Sequence, residues 1–356
     1  MFSNKNRPYL IHLHAILTDS TLSIRIGISS RPLTYQDENK NRPVSPIHDF
    51  RLLRKNNFEA LIKIYNLEQK LITEKKIETD QFGHLNLKFP SSLLMGKENK
   101  FIIKVFETSY LPGIQIFLGE RKTKYINPNL PIIISDFDKT LVDTKYKTTM
   151  ELYRSLTSPL ENFPTVTNTL EKISPLLEIK APFFVLSASP HFYENAIRDW
   201  LRSKEIKDSG IFLKDYRQFF SWQNTELFSK DIKIHGTFKL SQLLNLIYML
   251  NWPKEIYLFG DNSETDPLIY VLFNYIISSS VDATIVWEKI KSLDAFSLTP
   301  YQDSKILNRL HTINGLKKKY SYIPKIQINI RLLKKSDQIQ LPKWLGDFGA
   351  KIETYH

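Results

Sequence analysis

An apolar run that leads into two spaced carboxylates limits what this chain can fold into. Pro131 to Ile134 is followed by Asp136-Phe137-Asp138-Lys139-Thr140. Such a run is typical of a parallel strand buried on both faces, and ligands bind beyond the carboxyl ends of such strands. Side chains two residues apart in an extended segment point the same way, so Asp136 and Asp138 can address one metal and one phosphate. The pattern predicts a phosphoryl-transfer centre, and the plain alternative is a strand followed by a capped helix.

The chain after residue 127 alternates short apolar strands with amphipathic stretches. Phe183 to Leu186 and Glu255 to Phe259 have the composition of strands, and Phe192 to Ser203 has the period of a helix. This β-α-β order predicts an α/β fold with a doubly wound parallel sheet. Ile326 to Ile330 alternates like one more strand. Residues 282–324 are expected to be irregular, with Lys305 to Leu316 as the one candidate helix.

The first part of the chain has a different pattern. From Pro8 to about Tyr125, short alternating or apolar runs are separated by turn residues, without a helical period. The runs are Leu10 to Leu17, Leu22 to Ile28, Phe58 to Tyr65, His84 to Phe89, Phe101 to Phe106 and Gly113 to Leu118. Such spacing predicts an antiparallel β-sandwich, and Asn127 to Pro131 fits a linker. We therefore predict a β-sandwich domain over residues 1–126 and an α/β domain over residues 127–356.

Composition narrows the class of protein. The chain has 356 residues, of which 42% are hydrophobic and 24% charged, values that suit a soluble protein of two domains. It has no cysteine, which excludes disulfides, thiolate metal sites and cysteine nucleophiles. The most apolar stretch is shorter than the roughly 20 residues that cross a bilayer, and no signal peptide is expected. We expect a cytoplasmic protein that can also lie at the periphery of a membrane.

The net charge of +12 favours polyanionic partners. Anionic phospholipid surfaces, nucleic acid and phosphorylated small molecules are candidates, and the charge can equally serve solubility. Aromatic residues do not interleave with basic clusters as they do in stacking platforms, which disfavours nucleic acid. Lys317-Lys318-Lys319-Tyr320 is the densest basic run, and it either touches lipid head groups or lies in a solvated loop.

Polar residues also follow the other predicted strands of the second domain. Ser187-Ala188-Ser189-Pro190 follows Leu186, where a hydroxyl and backbone N–H groups can hold phosphate oxygens, unless the serines only cap a helix. Gly260 to Asp266 follows Phe259, and its carboxylates can complete an oxygen-ligand shell for Mg²⁺, unless it is a solvated turn. Lys239 lies near the start of an apolar helix, where it is either a catalytic cation or a surface charge.

The order of these features carries more information than any one of them. The aspartate pair, the serine, the lysine and the acidic loop resemble, in this order, the haloacid dehalogenase-like (HAD-like) phosphatases. Ser187 to Pro190 and Asp266-Pro267-Leu268-Ile269-Tyr270 look like motifs of a narrower group, the lipin and App1-type phosphatidate phosphatases. Gln327 to Arg331 resembles the strand that ends their catalytic domain. The resemblance covers roughly residues 130–285 and this last strand, and the first domain agrees only in kind.

The resemblance implies catalytic roles for three residues. Asp136 would be the nucleophile that takes the phosphoryl group as an aspartyl-phosphate. Asp138 would protonate the leaving oxygen and later activate water. Lys239 would neutralise charge on the transferring group. These roles agree with the general expectation that phosphoryl transfer depends on positioning and charge stabilisation.

The resemblance also implies ligand-binding residues. Ser187 would hold a phosphate oxygen, and we assign Thr140, Ala188 and Lys139 to the same substrate-binding set. Lys139 departs from the family, which usually has a small or acidic residue there, and so adds a cation beside the phosphate. The Mg²⁺ ligands would be Asp136, Asp261 and the backbone carbonyl of Asp138, with Asp266 either a direct ligand or a residue that contacts the ligands.

The favoured function is therefore Mg²⁺-dependent hydrolysis of a lipid phosphate, with phosphatidate converted to diacylglycerol. The spacer from Thr144 to Phe184 is too short for a large cap domain, and an open site favours a bulky or membrane-embedded substrate. One alternative is a HAD-type phosphatase of a soluble or macromolecular phosphate. The other is a module that binds phospholipid without hydrolysing it.

Overall fold

The computed structural model describes residues 6–32, 58–80, 82–94, 100–108, 114–144, 160–215, 235–296, 298, 300–334, 336–349 and 351–356. The chain divides into two compact units. Unit 1 comprises residues 1–40, 44–127 and 215–224, and unit 2 comprises residues 41–43, 128–214 and 225–356. The division into two domains at residues 126 and 127 stays a prediction.

Unit 1 contains two four-stranded sheets. Its strands are β1 (Asn6–Leu17), β2 (Thr21–Pro32), β3 (Glu59–Tyr65), β4 (Leu71–Glu78), β5 (His84–Pro90), β6 (Ile102–Thr108), β7 (Gln115–Lys122) and β8 (Lys124–Tyr125). The sheet orders are β5-β2-β1-β8 and β4-β3-β6-β7. All neighbours are antiparallel except β1 and β8, which are parallel. The predicted antiparallel sheets of the N-terminal part are confirmed.

Alternation along the strands of unit 1 builds its core. Ile24 and Ile26 of β2 and Ile62 and Ile64 of β3 are buried in one cluster that both sheets share. Side chains at alternate positions of a strand point to the same face, so one face of each sheet supplies this core. Strand β4 was not predicted because it is an edge strand whose residues are mostly exposed and charged.

Unit 2 is built on a six-stranded parallel sheet. Its strands are β9 (Ile132–Ser135), β10 (Phe183–Pro190), β11 (Asp208–Lys214), β12 (Glu255–Asp261), β13 (Lys325–Arg331) and β14 (Ile352–Tyr355). Its helices are α1 (Thr167–Glu178), α2 (Glu194–Ser203), α3 (Gly236–Leu250), α4 (Asp266–Ser278), α5 (Ala283–Lys291), α6 (Pro300–Lys319) and α7 (Gly346–Gly349). The mixed α/β architecture with a parallel sheet is confirmed.

The strand order β11-β10-β9-β12-β13-β14 places β9 at the point where the chain changes direction across the sheet. Ile132, Ile133 and Ile134 are all fully buried although neighbouring side chains of a strand point to opposite faces. Both faces of the sheet are therefore covered at β9. Ligands of open α/β sheets bind in the crevice at such a switch point, beyond the carboxyl ends of the strands. Here that crevice lies between the ends of β9 and β12.

The expectation that residues 282–324 are irregular was wrong. Most of this range forms α5 and α6, and the candidate helix from Lys305 to Leu316 lies within α6. Apolar residues at helical spacing explain the helices: Ala283, Val286, Trp287 and Ile290 are buried in α5, and Ile306, Leu310, Ile313 and Leu316 in α6. A further strand, β14, was not predicted, and it pairs with β13 in parallel from Ile328↔Ile352 to Arg331↔Tyr355.

No helix in the described ranges is both long enough and apolar enough to cross a membrane. Part of the spacer that was predicted to lack a cap domain, residues 145–159, lies outside the described residues.

Candidate active site

Asp136 is the first residue beyond β9. Its backbone N–H donates to the carbonyl of Phe259 in β12, at 2.8 Å. This bond fixes the turn away from the strand, and Asp136 is left only 2% exposed. The preceding isoleucines thus hold a carboxylate in the crevice where the strand order predicts a ligand site.

Three buried carboxylates meet at this point. Asp136, Asp261 and Asp266 each offer an oxygen, and these oxygens lie within 4.8 Å of one another. Asp261 ends β12, and Asp266 opens α4 with Pro267 in the first turn. Asp136 Oδ1 and Asp266 Oδ2 are buried and have no hydrogen-bond partner among the described residues. Buried carboxylate oxygens are normally paired or bound to a cation, so this group fits a hard divalent metal ion.

Lys239 is the cation that these acids share. It lies in the first turn of α3 and is fully buried. Its Nζ is 3.3 Å from Asp136 Oδ2, contacts Asp266 Oδ1, and is 3.6 Å from Glu264 Oε2. Burial alone would lower the pKa of Lys239, but the neighbouring carboxylates outweigh it and hold that pKa well above its usual value. Lys239 therefore stays charged.

The pKa values of three of the acids are raised as well, which for a carboxyl group favours the uncharged form. Burial raises the pKa of Asp136 well above its usual value, against the opposing attraction of Lys239. Burial and the nearby Asp266 raise the pKa of Asp261 to about 7. The pKa of Asp266 is also raised, chiefly by burial. Lys239 is shared among several carboxylates, so a further positive charge at this point would be favourable.

Asp138 lies outside this acidic group and is bound by hydroxyls instead. Thr144 Oγ1 donates to its Oδ1 at 3.1 Å. Ser187 Oγ and Ser189 Oγ both donate to its Oδ2, at 3.2 and 2.5 Å. The two serines belong to the end of β10, which is the strand next to β9. The serine motif is thus in direct contact with Asp138, the second residue of the aspartate pair.

The other substrate-binding residues predicted from the sequence also lie here. Thr140 is fully buried, and its hydroxyl has no hydrogen-bond partner within the described part of the chain. Lys139 has a positive φ of 57° and donates from Nζ to Ser263 Oγ at 3.0 Å. Ala188 lies between the two serines in β10. Lys139 therefore connects the Asp136 loop to the acidic loop that follows β12.

Several residues of the site were not predicted from the sequence. Glu264 approaches Lys239, and burial, which would raise its pKa, is outweighed by Lys239, so that pKa is lowered. Arg331, at the end of β13, donates to the Lys139 carbonyl at 2.6 Å and so supports the loop. Tyr270 donates to the Phe259 carbonyl at 3.0 Å. Of these three residues, only Glu264 could have been found from the sequence, because it lies in the acidic segment with Asp261 and Asp266.

The basic run at the end of α6 is partly used within unit 2. Lys317 Nζ donates to the carbonyls of Ile276 and Ser279, the latter at 2.8 Å. These carbonyls lie at the carboxyl end of α4, where a cation is favourable. Lys317 therefore has a structural contact, and a role of the run at lipid head groups would have to come from its neighbours.

Comparison with known families gives a match that spans this site. Residues 131–286 match the family described as "Phosphatidate phosphatase APP1, catalytic domain". The match contains Asp136, Ser187, Lys239 and Asp261, and it confirms the resemblance that the motifs indicated. This segment is therefore similar to a catalytic domain of the phosphatidate phosphatase type, and the enzymes of that family are phosphoric monoester hydrolases.

The other comparisons add nothing to function. No curated protein matches the chain. Among solved structures, β-glucuronidase from Parabacteroides merdae is 10% identical, with 92% of this chain and 34% of that chain covered and a TM-score of 0.29. β-D-Glucuronidase from Dictyoglomus thermophilum is 9% identical, with coverage of 92% and 45% and a TM-score of 0.27. The chain spans less than half the length of these structures, and TM-scores this low carry no argument.

Proposed function

We propose that this chain, whose residues 131–286 match a phosphatidate phosphatase catalytic domain, is a Mg²⁺-dependent phosphatase that converts phosphatidate to diacylglycerol. The observation that carries the proposal is the meeting of Asp136, Lys239 and Asp261 in one buried cluster. The cluster lies at the carboxyl ends of two neighbouring parallel strands. A HAD-like fold for unit 2 belongs to the same proposal, and the strand order and the positions of the motif residues support it.

The proposed chemistry has two steps. In the first, an Asp136 carboxylate oxygen attacks phosphorus, the bond from phosphorus to the lipid oxygen breaks, and Asp138 gives its proton to that oxygen. In the second, Asp138 takes a proton from water, the water oxygen attacks phosphorus, and the aspartyl-phosphate bond breaks. One water is consumed, and both carboxyl groups return to their starting states.

Charge stabilisation would come from two sources. Lys239, 3.3 Å from Asp136 Oδ2, offsets the charge of the nucleophile and of the phosphoryl group. Asp136, Asp261, Asp266 and the backbone carbonyl of Asp138 would hold Mg²⁺, which when bound neutralises and orients phosphoryl oxygens. The unpartnered buried oxygens of Asp136 and Asp266 fit this assignment.

Substrate contacts are assigned to the residues that surround Asp136. Thr140, Ser187, the backbone at Ala188 and Lys139 would hold the phosphate. The buried and unpartnered Thr140 hydroxyl supports a role as donor. A lipid substrate requires the chain to reach a membrane surface, and its net charge of +12 favours contact with anionic phospholipid. We therefore propose peripheral association with such a surface.

The test is phosphate release by the purified chain. Phosphatidate in vesicles and a soluble phosphate monoester are compared, each with Mg²⁺ and with EDTA. Asp136→Asn should abolish turnover because an amide cannot form the phosphoenzyme. Asp294→Asn, which changes an exposed aspartate outside the site, is the matched control and should keep full activity.

Each outcome separates the competing functions. Turnover of phosphatidate that requires Mg²⁺ and Asp136 supports the proposal. Preference for the soluble monoester, with indifference to vesicles, favours a phosphatase of soluble substrates. Vesicle binding without turnover at any Mg²⁺ concentration favours a binding module. Undiminished activity of Asp136→Asn contradicts the nucleophile assignment.

A further inference from the structure

We infer that Ser189 is a positioning residue that holds the Asp138 carboxylate when the Ser187 hydroxyl turns to the phosphate. The inference rests on the proposed function, because it uses the roles of Asp138 as acid and base and of Ser187 as phosphate ligand. The inference concerns the Ser189 hydroxyl, which has no part in those two roles. Two serines, and not one, donate to the same carboxylate oxygen.

The arrangement of donors around Asp138 is unequal on its two oxygens. Oδ1 accepts from Thr144 Oγ1 at 3.1 Å. Oδ2 accepts from Ser187 Oγ at 3.2 Å and from Ser189 Oγ at 2.5 Å. Ser189 is part-exposed and Ser187 is fully buried. Because both serines donate to Oδ2, this oxygen can lose the Ser187 bond and keep the Ser189 bond.

The single hydroxyl proton of Ser187 cannot serve Asp138 and the phosphate at once, so a second donor to Asp138 is needed. A serine hydroxyl carries one proton and donates to one acceptor at a time. The Ser187 proton points to Asp138 in this structure, so Ser187 can hold a phosphate oxygen only by releasing Asp138. A carboxyl group that loses a hydrogen bond in a part-buried site is held less firmly. Ser189 and Thr144 keep the Asp138 carboxylate in place after that release.

The Ser187 oxygen need not move when its proton changes acceptor. The backbone N–H of Ser189 donates to Ser187 Oγ at 3.0 Å and fixes that oxygen. Rotation about the Cβ–Oγ bond then redirects the proton from Asp138 to the phosphate. Ser189 thus contributes two groups, a backbone N–H that holds Ser187 and a hydroxyl that holds Asp138. Ser189→Ala removes the hydroxyl and leaves the N–H.

A double-mutant cycle on phosphate affinity tests the coupling. Inorganic phosphate is titrated calorimetrically into the full chain with Mg²⁺, for the parent, Ser187→Ala, Ser189→Ala and the double variant. Loss of one hydrogen bond to a charged group predicts about 10-fold weaker binding for Ser187→Ala. Ser189→Ala should weaken binding about 3-fold, because Ser187 then has to serve both acceptors.

The double variant decides the outcome. Because Ser189 acts on phosphate only through Ser187, the double variant should bind no more weakly than Ser187→Ala alone. Additive losses would overturn the inference and leave the proposed function intact. Absence of phosphate binding by the parent chain would count against the proposed function itself, and the inference would fall with it.

A second measurement separates positioning from a general structural role. The ratio kcat/KM reports only the steps up to release of the leaving group. For Ser189→Ala we expect about a 10-fold loss with an alkyl phosphate, whose leaving oxygen needs the Asp138 proton. With p-nitrophenyl phosphate, which needs no such proton, the loss should be about 3-fold or less, the part due to phosphate binding.

Conservative and distant variants complete the test. Ser189→Thr keeps the hydroxyl and should restore most of kcat/KM for the alkyl phosphate. Ser292→Ala, which removes an exposed hydroxyl just after α5, should match the parent. Equal losses on both substrates for Ser189→Ala, or no rescue by Ser189→Thr, would overturn the assignment.

Discussion

At the scale of single residues, Lys139 is held in a conformation that its side chain does not favour. Its φ of 57° lies in the left-handed region, where residues other than glycine are strained by roughly 1–2 kcal/mol. A lysine at such a position suggests that the amine is used. Its contact with Ser263, beside the acidic loop, is consistent with the proposed role at the phosphate.

Lys139→Gly should raise stability and lower activity at the same time. Relief of the left-handed strain, less the entropy of a flexible glycine, predicts a gain of about 0.5–1 kcal/mol in the free energy of unfolding. Loss of the amine should raise KM. Urea unfolding and steady-state kinetics measure the two effects. Lys139→Ala keeps the strained backbone, so it should lose substrate affinity without a gain in the free energy of unfolding. If Lys139→Gly is no more stable than Lys139→Ala, this account is contradicted.

His235 gives the second residue-scale prediction, which concerns pH. It precedes α3, and its Nδ1 accepts from Lys214 Nζ at 3.3 Å. Burial, with Lys214 and Lys239 nearby, lowers the pKa of His235 to about 4 despite the attraction of Glu264. Below its ordinary pKa near 6.5 the unfolded chain binds a proton that the folded chain does not. Above pH 6.5, protonation of His235 should therefore not reduce the free energy of unfolding. As the pH drops to 4, it should reduce that free energy by about 3 kcal/mol.

The check is the slope of unfolding free energy against pH from 4 to 7. His235→Gln should flatten this slope, because the glutamine does not titrate. His311→Gln changes an exposed histidine of α6 and should leave the slope as it is. Identical slopes for the parent and His235→Gln would exclude His235 as the cause.

Local patterns predicted some residues of the site and not others. Asp136, Lys239, Asp261 and Asp266 each follow a strand or begin a helix, and such positions can be recognised along the chain. Thr144 and Ser189 were not assigned because their bonds to Asp138 depend on side-chain directions between separate segments. Periodicity in the sequence carries no information about those directions.

At the scale of elements, the junction of β12 and α4 depends on Gly260. A Cβ atom at this position would lie 2.6 Å from Asp266 Oδ2 and 2.8 Å from Tyr270 Cε2. The missing side chain lets the first turns of α4 close over the end of β12. That closure brings Asp266 to Lys239 and Tyr270 to the Phe259 carbonyl.

Gly260→Ala should therefore destabilise the fold and reduce turnover. Overpacking at a buried junction costs about 1–3 kcal/mol, and the shift of Asp266 should disturb the acidic cluster. Gly315→Ala is the matched control, because nothing lies within 4 Å of a Cβ there. Because this position is exposed and helical, Gly315→Ala should raise the free energy of unfolding by about 0.5–1 kcal/mol. Urea unfolding of both variants measures the difference, and equal effects would contradict the close approach.

Element prediction succeeded where the period was clear and failed at edges. The runs of β9, β10 and β12 are apolar because these strands are buried. The edge strand β14 is half-exposed and only four residues long, so its pattern is weak. Strand β11 was missed although Ile211 to Leu213 is apolar, because a run that short does not distinguish a strand from a helix.

At the scale of the whole molecule, the acidic cluster should link stability to metal. A cation that binds only the folded state stabilises it by about 2.7 kcal/mol at 100 times its Kd. For a unit of this size that corresponds to a rise in Tm of roughly 5–10 °C. Thermal unfolding with Mg²⁺ and with EDTA measures the shift. It should shrink below pH 7, where protons compete for Asp261, whose pKa is raised to about 7.

Asp261→Asn is the control for this linkage. It keeps the size of the side chain and removes a carboxylate of the cluster, so most of the Mg²⁺ shift should disappear. An equal shift in the parent and in Asp261→Asn would place the cation elsewhere.

Unit 1 is made of segments that are separated along the chain, and this limits how the chain can be divided into fragments. Residues 215–224 belong to unit 1 although the sequence on both sides belongs to unit 2. Asp215 Oδ2 lies 3.0 Å from His84 Nε2, so this excursion contributes a contact of its own. Cleavage of the chain at one position therefore cannot yield both units intact. A fragment that ends near residue 127 would lack Asp215 and so would lose its contact with His84.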